Sequence, residues 1–296
     1  MIGGEGRGMQ SDGTWALRPL AEMSVQEFRD WQVLLEDRTG LVLSDQRRAL
    51  LQASLSARMR ELNIADYSSY YRQVTDGLKG AVEWSNLLDH LTVQETRFFR
   101  HRPSFEMLDS YLRGRIPEIS SRHPLALWSV GCSTGEESYS LAIVAAEALQ
   151  GSQHPELFGV TGTDISLNAL SKARNADYGA RRLEQIDAEF LERYFEPVGA
   201  GRYKVKVDLA SRVCFARLNV LELAKAPFTG VDVIFCQNLL IYFRRWRRRE
   251  ILNRLVERLA PGGLLVIGVG EVVDWQHPDM LPVADDQVLA FIRKNV

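Results

Sequence analysis

The sequence has 296 residues and lacks the residue patterns of several protein classes. Its three cysteines, Cys132, Cys214 and Cys236, are odd in number and far apart, so we expect neither a disulfide framework nor a cysteine metal site. The five histidines show no HExxH or other paired spacing, so we predict no metal ion. No apolar run approaches the roughly 18 residues that a membrane span requires, and a net charge of −2 argues against a general nucleic-acid binder. We therefore predict no membrane insertion and no nucleic-acid partner.

The N-terminus also lacks the charged and apolar regions of a signal peptide. Residues 1–20 are rich in glycine and polar side chains, which predicts a disordered leader on a cytoplasmic protein. The length of the chain predicts two domains. We expect a helical domain over residues 21–90, linker helices over 91–124 and an α/β domain over 125–296.

The apolar residues of the first domain have helical spacing. Ser24–Glu27 is a capping box that starts one helix, and Gly40 is a natural stop for it. A second helix is predicted from about Gln46 to Leu62, and a third begins after a cap at Asp66 or Ser68. This pattern predicts an all-helical domain.

The linker region begins with a second capping box, Thr92–Glu95. It predicts a short helix that carries Thr96, Phe98, Phe99 and Arg100. Such a helix would bring a polar hydroxyl and a guanidinium to the start of the α/β domain.

After Pro124 the pattern changes to short apolar runs, mostly separated by amphipathic stretches. The runs are Leu125–Val130, Gly159–Thr163, Val213–Ala216, Val231–Cys236, Leu264–Val269 and Val288–Ile292. Strands that alternate with helices predict a parallel, doubly wound sheet covered on both faces. Tyr203–Val207 alternates instead after a Gly-Ala-Gly turn, which predicts an antiparallel β-hairpin inserted around residues 195–212.

The first predicted strand runs directly into the turn Gly131–Glu137 and then a helix. This is the cofactor position of a doubly wound fold, where small residues and free N–H groups receive a ligand. The dinucleotide pattern G-x-G-x-x-G and the P-loop pattern are both absent. Glu136 and Glu137 would repel a pyrophosphate but could receive the ammonium of an amino-acid group. S-adenosylmethionine therefore fits this turn better than NAD or ATP, although an ordinary tight turn remains an alternative.

Polar residues follow three further strands. Asp164 comes at the end of the second strand, where ribose hydroxyls are usually bound, although an acid there can also be a helix cap. Asn219 and Asn238 each follow a later strand, where an amide could hold an adenine edge or a backbone turn.

Several of these segments together resemble the CheR-type chemotaxis receptor methyltransferases. The resemblance spans residues 20–293 and rests on Thr92-x-Gln94-x-Thr96-x-Phe98-Phe99-Arg100, Trp128–Ser140, Gly162–Ile165, Asn238–Phe243 and Leu259–Leu264. It implies a Rossmann-like methyltransferase sheet with a small N-terminal helical domain and an inserted β-subdomain. It also implies methyl transfer from S-adenosylmethionine to glutamates on the cytoplasmic helical bundle of a chemoreceptor, giving methyl esters for chemosensory adaptation.

The resemblance also implies roles for individual residues. The implied cofactor contacts come from Gln94, Thr96, Arg100, Gly131, Glu136 or Glu137, Asp164, Asn219, Val220, Asn238 and Leu239. Arg100 and Tyr242 would lie beside the reactive methyl group as the catalytic residues. The family usually has Asn at the position of Gln94, so that contact could be longer or absent here.

Lysine is scarce: only six of the 36 basic residues are lysines, so arginine dominates. Residues 46–60 contain four arginines and no acid, and Arg47 and Arg58 lie three helical turns apart. We predict that Arg47, Arg58 and Arg48 dock the acidic receptor, although a solvated helix face is the plainer interpretation. The arginine run at 244–249 is interpreted as a solvated face near the rim of the site rather than an RNA-binding element.

Some questions stay open at this level. The short connection from Phe195 through Gly201 favours an enzyme without a C-terminal pentapeptide tether on its receptor. We expect a monomer. A methyltransferase of RNA or of a small molecule, and a non-catalytic chemosensory adaptor, are the alternatives to receptor methylation.

Overall fold

A computed structural model of the protein describes residues 22–92 and 94–295. The leader predicted for residues 1–20 lies outside the described residues. No helix within the described ranges is long and apolar enough to cross a membrane.

The described chain begins with a bundle of helices. They are α1 (Val25–Thr39), α2 (Arg48–Glu61), α3 (Tyr67–Thr75) and α4 (Gly77–Leu91). The predicted capping box of α1 is present, and Gly40 ends this helix at a φ of 76°. A Cβ at Gly40 would lie 2.8 Å from the Phe243 ring, so glycine also allows the helical domain to pack against the second domain. Asp66 rather than Ser68 caps α3, and α4 was not distinguished as a separate helix from the sequence.

The prediction of a short helix that starts at Thr92 is wrong. Thr92 ends α4, residues 94–97 have no regular structure, and the next helix, α5 (Arg102–Arg115), begins later at a favourable Pro103. Phe99 has a φ of 50°, which a right-handed helix does not contain. A tertiary hydrogen bond replaces a helical one at this position, since the Phe99 amide donates to Ser140 Oγ at 3.0 Å.

The second domain is built on a mixed sheet with strand order β6-β2-β1-β7-β8-β10-β9. Its strands are β1 (Leu125–Val130), β2 (Phe158–Asp164), β6 (Val213–Arg217), β7 (Val231–Cys236), β8 (Leu259–Ile267), β9 (Met280–Pro282) and β10 (Leu289–Arg293). The five neighbouring strands β6, β2, β1, β7 and β8 pair in parallel, as predicted. Strand β10 is antiparallel to β8, and β9 is antiparallel to β10. Because β1 lies between β2 and β7, the strand order reverses there and opens a crevice at the carboxyl ends of these strands.

Helices cover this sheet, and a small second sheet is inserted beside it. The helices are α6 (Glu136–Leu149), α7 (Leu167–Asn175), α8 (Ala188–Tyr194), α9 (Val207–Ala210) and α10 (Arg245–Val256). The inserted sheet has the order β3-β5-β4, formed by β3 (Asp177–Gly179), β4 (Phe195–Gly199) and β5 (Arg202–Val205). The predicted antiparallel hairpin is therefore present, and a strand from residues 177–179 extends it.

The helical domain is tied to the α/β domain by polar contacts next to the crevice. Asn219 Nδ2 donates to the Arg38 carbonyl at 2.8 Å, and Arg244 pairs with Glu36. The Val42 amide donates to the Tyr242 carbonyl at 2.9 Å. The first domain thereby forms one wall of a cleft whose other wall is the edge of the sheet.

Candidate active site

The cleft between the two domains brings together most of the residues predicted to act. Those that line it are Arg47, Gln94, Thr96, Arg100, Gly131, Glu137, Asp164, Asn219, Val220, Asn238, Leu239 and Tyr242. Glu136, Arg48 and Arg58 are absent from its described lining. The contacts of each group explain this division.

The turn after β1 is the floor of the cleft. Gly131 and Gly135 have φ values of 75° and 95°, which favour glycine, and Ser133 lies at 51°. The Gly131 amide donates to the Thr163 carbonyl at 2.8 Å, which joins the turn to the end of β2. A Cβ at Gly131 would lie 3.0 Å from the Leu239 side chain. The turn is therefore held close to the neighbouring strand end.

The two adjacent glutamates at the start of α6 have different surroundings. Glu136 is 0% exposed, pairs with Arg182 and accepts a 2.7 Å hydrogen bond from Thr134 Oγ1. Glu137 accepts from Ser129 Oγ at 2.7 Å, and no basic side chain of the described chain lies within ion-pair distance of it. Successive residues on a helix point about 100° apart, so only Glu137 reaches the cleft. This arrangement does not support the predicted cofactor contact from Glu136.

Burial raises the pKa of Glu137 to about 7. Glu271 raises it further by charge repulsion, while the Arg100 guanidinium acts in the opposite direction. Glu271 is itself 3% exposed, and burial raises its pKa to about 7 as well. The cleft thus has two carboxyl groups beneath it that lack a counter-charge at contact distance among the described residues.

Asp164 ends β2 and organises the turn. Its two carboxylate oxygens accept the amides of Ser133 and Ser166, each at 2.9 Å. Burial raises the pKa of Asp164 despite these bonds. The cap of α7 is Ser166, so Asp164 is not needed as the helix cap. Each oxygen keeps a lone pair for a ligand hydroxyl.

The two predicted asparagines differ in use. Both polar atoms of the Asn219 side chain form hydrogen bonds within the protein, since Oδ1 accepts from the Leu221 amide at 3.1 Å and Nδ2 donates to the Arg38 carbonyl. Asn238 has a φ of 59° and turns the chain sharply after β7, which places Leu239 over Gly131. The second asparagine therefore shapes the cleft through its backbone.

Arg100, which lies just before α5, and Tyr242, which lies in the 3-10 turn after β7, both line the cleft. Arg100 is exposed, and its Nη1 donates to the Glu95 carbonyl at 3.0 Å. Tyr242 is half-buried, and the Arg47 guanidinium lies 5.8 Å from the centroid of its ring. Gln94, also in the cleft, accepts a 3.0 Å hydrogen bond from Lys172 Nζ. Three arginines, Arg47, Arg97 and Arg100, therefore carry positive charge into the cleft that Tyr242 lines.

The three arginines of the predicted docking face have separate positions. Arg47 precedes α2 in a short 3-10 turn and lines the cleft. Arg58 forms an ion pair with the buried Glu83, and its side chain is only 17% exposed. Arg48 donates to the Met23 carbonyl. Among these arginines, the structure leaves Arg47 facing the cleft and uses Arg48 and Arg58 inside the helical domain.

Sequence reasoning missed Ser129 and Glu271. Ser129 is an interior residue of β1 and has no local signal. Glu271 follows the apolar strand β8, an acid at a strand end that could have been flagged as Asp164 was.

Comparison of the sequence with known protein families identifies the family of this chain. The model of the CheR methyltransferase SAM binding domain matches residues 94–289, and that of the CheR methyltransferase all-alpha domain matches residues 26–92. The chain belongs to the CheR methyltransferase family.

Curated relatives agree with this assignment. The chain is 34% identical over 253 residues to the chemotaxis protein methyltransferase of Escherichia coli K12, with 84% of this chain and 85% of that protein covered. It is also 34% identical to chemotaxis protein methyltransferase 2 of Pseudomonas aeruginosa PAO1, with 83% and 86% covered. The corresponding values for chemotaxis protein methyltransferase Cher2 of Pseudomonas putida KT2440 are 30%, 84% and 90%. This CheR methyltransferase is therefore an enzyme that uses S-adenosylmethionine.

Proposed function

We propose that this CheR methyltransferase transfers a methyl group from S-adenosylmethionine to the side-chain carboxylate of specific glutamates on the cytoplasmic helices of chemoreceptors. The products are glutamate 5-O-methyl esters that serve chemosensory adaptation. The observation that supports this best is the cleft shared by both domains, which is lined by Tyr242 and by three arginines, Arg47, Arg97 and Arg100, with the Arg47 guanidinium 5.8 Å from the centroid of the Tyr242 ring. The names of its relatives support the chemotaxis context.

The residues of the cleft fit the cofactor. Glu137 is a half-buried carboxyl without a basic partner at contact distance in the described chain, which suits an incoming ammonium group. The carboxylate of Asp164 suits ribose hydroxyls, and Gly131, in the turn after β1, lines the cleft beside it. The remaining contacts would come from Gln94, Thr96, Asn219, Val220, Asn238 and Leu239.

The chemistry asks little of the protein beyond orientation. A glutamate side chain has a pKa near 4.3, so its carboxylate is already a nucleophile at pH 7 and needs no general base. The cofactor supplies an electrophilic methyl group and its own leaving group. Alignment of reacting atoms and exclusion of water can contribute up to roughly 7–11 kcal/mol. This explains how the described cleft lining can function without a histidine.

Arg100 would guide the substrate carboxylate, and the Tyr242 ring and hydroxyl would orient the methyl group. Arg47, beside Tyr242, would draw the acidic receptor helix to the mouth of the cleft. Because Arg48 and Arg58 are engaged within the helical domain, their contribution to docking would be indirect. The five-residue β4 and four-residue β5, joined by a short turn, favour an enzyme that works without a receptor tail tether.

The test is Arg100→Ala in the full-length protein, assayed with labelled S-adenosylmethionine and receptor cytoplasmic fragments. We expect at least about a hundredfold loss of methyl transfer with cofactor affinity by calorimetry changed less than a few-fold, because the lost group acts on the second substrate. Arg122→Ala removes an exposed arginine before β1 and is the matched control. Volatile methanol released by mild base identifies a methyl ester. A base-stable product would refute glutamate methylation.

A further inference from the structure

The arginine run at the start of α10 is divided by the fold into outward and inward side chains. Arg244 pairs with Glu36 across the domain border, and Arg247 pairs with Glu250. Arg245 and Arg249 are exposed, whereas Arg248 is half-buried and turns inward. A single solvated face therefore does not describe this run.

Arg248 donates to three backbone carbonyls. Its Nε reaches the Phe243 carbonyl at 2.8 Å, and its Nη2 reaches the Ile241 carbonyl at 3.4 Å. Its Nη1 reaches the Glu271 carbonyl at 2.7 Å. Two of these acceptors belong to the residues on either side of Tyr242. One rigid, planar guanidinium thus joins the peptides that flank Tyr242 to the loop after β8.

The segment around Tyr242 needs such support because its own backbone bonds are few. Asn238 leaves β7 with a φ of 59°, and a single 3-10 turn, Leu240–Tyr242, follows. The Tyr242 amide donates to the Leu239 carbonyl at a long 3.3 Å, the Phe243 amide donates to the Leu240 carbonyl at 3.0 Å, and the Tyr242 carbonyl accepts from the Val42 amide at 2.9 Å. Short turns of this kind have poor hydrogen-bond geometry. The Arg248 fork adds charge-assisted hydrogen bonds to this segment.

We propose that Arg248 is a positioning residue for methyl transfer, which fixes the peptides around Tyr242 and so holds that ring in the cleft. This proposal rests on the role proposed above for Tyr242. A displacement of about 1 Å at a reacting centre can lower a rate about a hundredfold, so loss of the fork should act on turnover more than on binding.

The experiment compares Arg248→Met with Arg249→Met in the full chain. Methionine keeps an apolar stem and removes every N–H donor, and Arg249 is the exposed neighbour on the same helix. We expect Arg248→Met to lower kcat by about tenfold or more, with the Kd for S-adenosylmethionine and the receptor KM changed less than about twofold. Arg249→Met should match the wild type. Arg248→Gln should regain part of the loss, because its amide has two donors.

A second pair of measurements separates positioning from general stability. In a Tyr242→Ala background, Arg248→Met should reduce kcat by less than about twofold, since the ring that it positions is gone. Hydrogen exchange should speed up at residues 239–243 in Arg248→Met and not in Arg249→Met. Unchanged kcat in Arg248→Met, equal losses with and without Tyr242, or a loss that Gln does not relieve would overturn the proposal. A wild type that releases no methanol would refute the proposed function instead, and hydrogen exchange would still test Arg248.

Discussion

The helical domain and the cleft each bury a glutamate, and they treat it in opposite ways. In the helical domain Arg58 Nε donates to Glu83 Oε1 and Arg58 Nη2 donates to Glu83 Oε2, each at 2.8 Å. The Tyr70 hydroxyl also donates to Glu83 Oε1, at 2.7 Å. Burial alone would raise the pKa of Glu83, but the bonds from Arg58 and Tyr70 outweigh it and hold the pKa below its ordinary value. Both oxygens of this carboxylate therefore have hydrogen-bond donors from the protein itself.

The cleft leaves its carboxyl groups incompletely partnered. Glu137 has the Ser129 hydroxyl as its hydrogen-bond donor, and Glu271 Oε2 has no partner within the described chain. Burial raises the pKa of both groups to about 7. A complete set of partners is typical of a group that stabilises the fold, whereas an unmatched buried carboxyl is typical of a site that awaits a ligand.

The largest expected effect is therefore on the helical domain. Arg58→Met leaves Glu83 buried without its cation, which should lower the free energy of unfolding by about 3–5 kcal/mol in urea denaturation. Arg60→Met, on the exposed side of the same helix, should change it by less than about 0.5 kcal/mol. Adding Glu83→Leu to Arg58→Met should restore part of the loss. A decrease below about 1 kcal/mol for Arg58→Met would erase the contrast between the two glutamates.

An opposite sign is expected in the cleft. Glu137→Gln removes a carboxyl whose pKa is higher in the folded than in the unfolded protein, so it should raise the stability of the cofactor-free enzyme at pH 8 by on the order of 3 kcal/mol. The same change should weaken binding of S-adenosylmethionine by at least about tenfold, because an amide does not balance an ammonium.

The pH dependence gives the sharper check of this sign. For a raised carboxyl pKa, the folded state holds a proton that the unfolded state has lost, so stability falls as pH rises from the unfolded pKa of 4.5 to the folded value of about 7. The stability difference between Glu137→Gln and the wild type should grow across this window and be constant above it. Glu136→Gln, one residue away, should destabilise at every pH in this range because it breaks the Arg182 pair. A difference that does not vary with pH would contradict a protonated Glu137.

The same contrast explains what could be predicted from the sequence. The bounds of β1 and β7 and the capping box of α1 follow from neighbouring residues, and these predictions are confirmed. The glycine turn and Asp164 were found because strand ends in a parallel sheet meet at a known edge. The partner of Arg58 lies 25 residues away in sequence, and no local pattern indicates it. The failed helix at Thr92 has the same cause, since its amides bond to α6 and to the loop before α8.

The smallest effect should come from the ion pair that joins the two regions. Arg244 Nη2 lies 2.7 Å from Glu36 Oε2, and the Arg244 hydrogen bond lowers the pKa of Glu36. Both side chains remain accessible to water, at 54% and 31%, so solvent screens their attraction. Glu36→Gln should lower stability by less than about 1 kcal/mol in 0.05 M salt, and the loss should disappear in 1 M salt. The loss from Arg58→Met should persist in both, because its partner is buried. Equal salt sensitivity of the two variants would mean that burial does not distinguish the pairs.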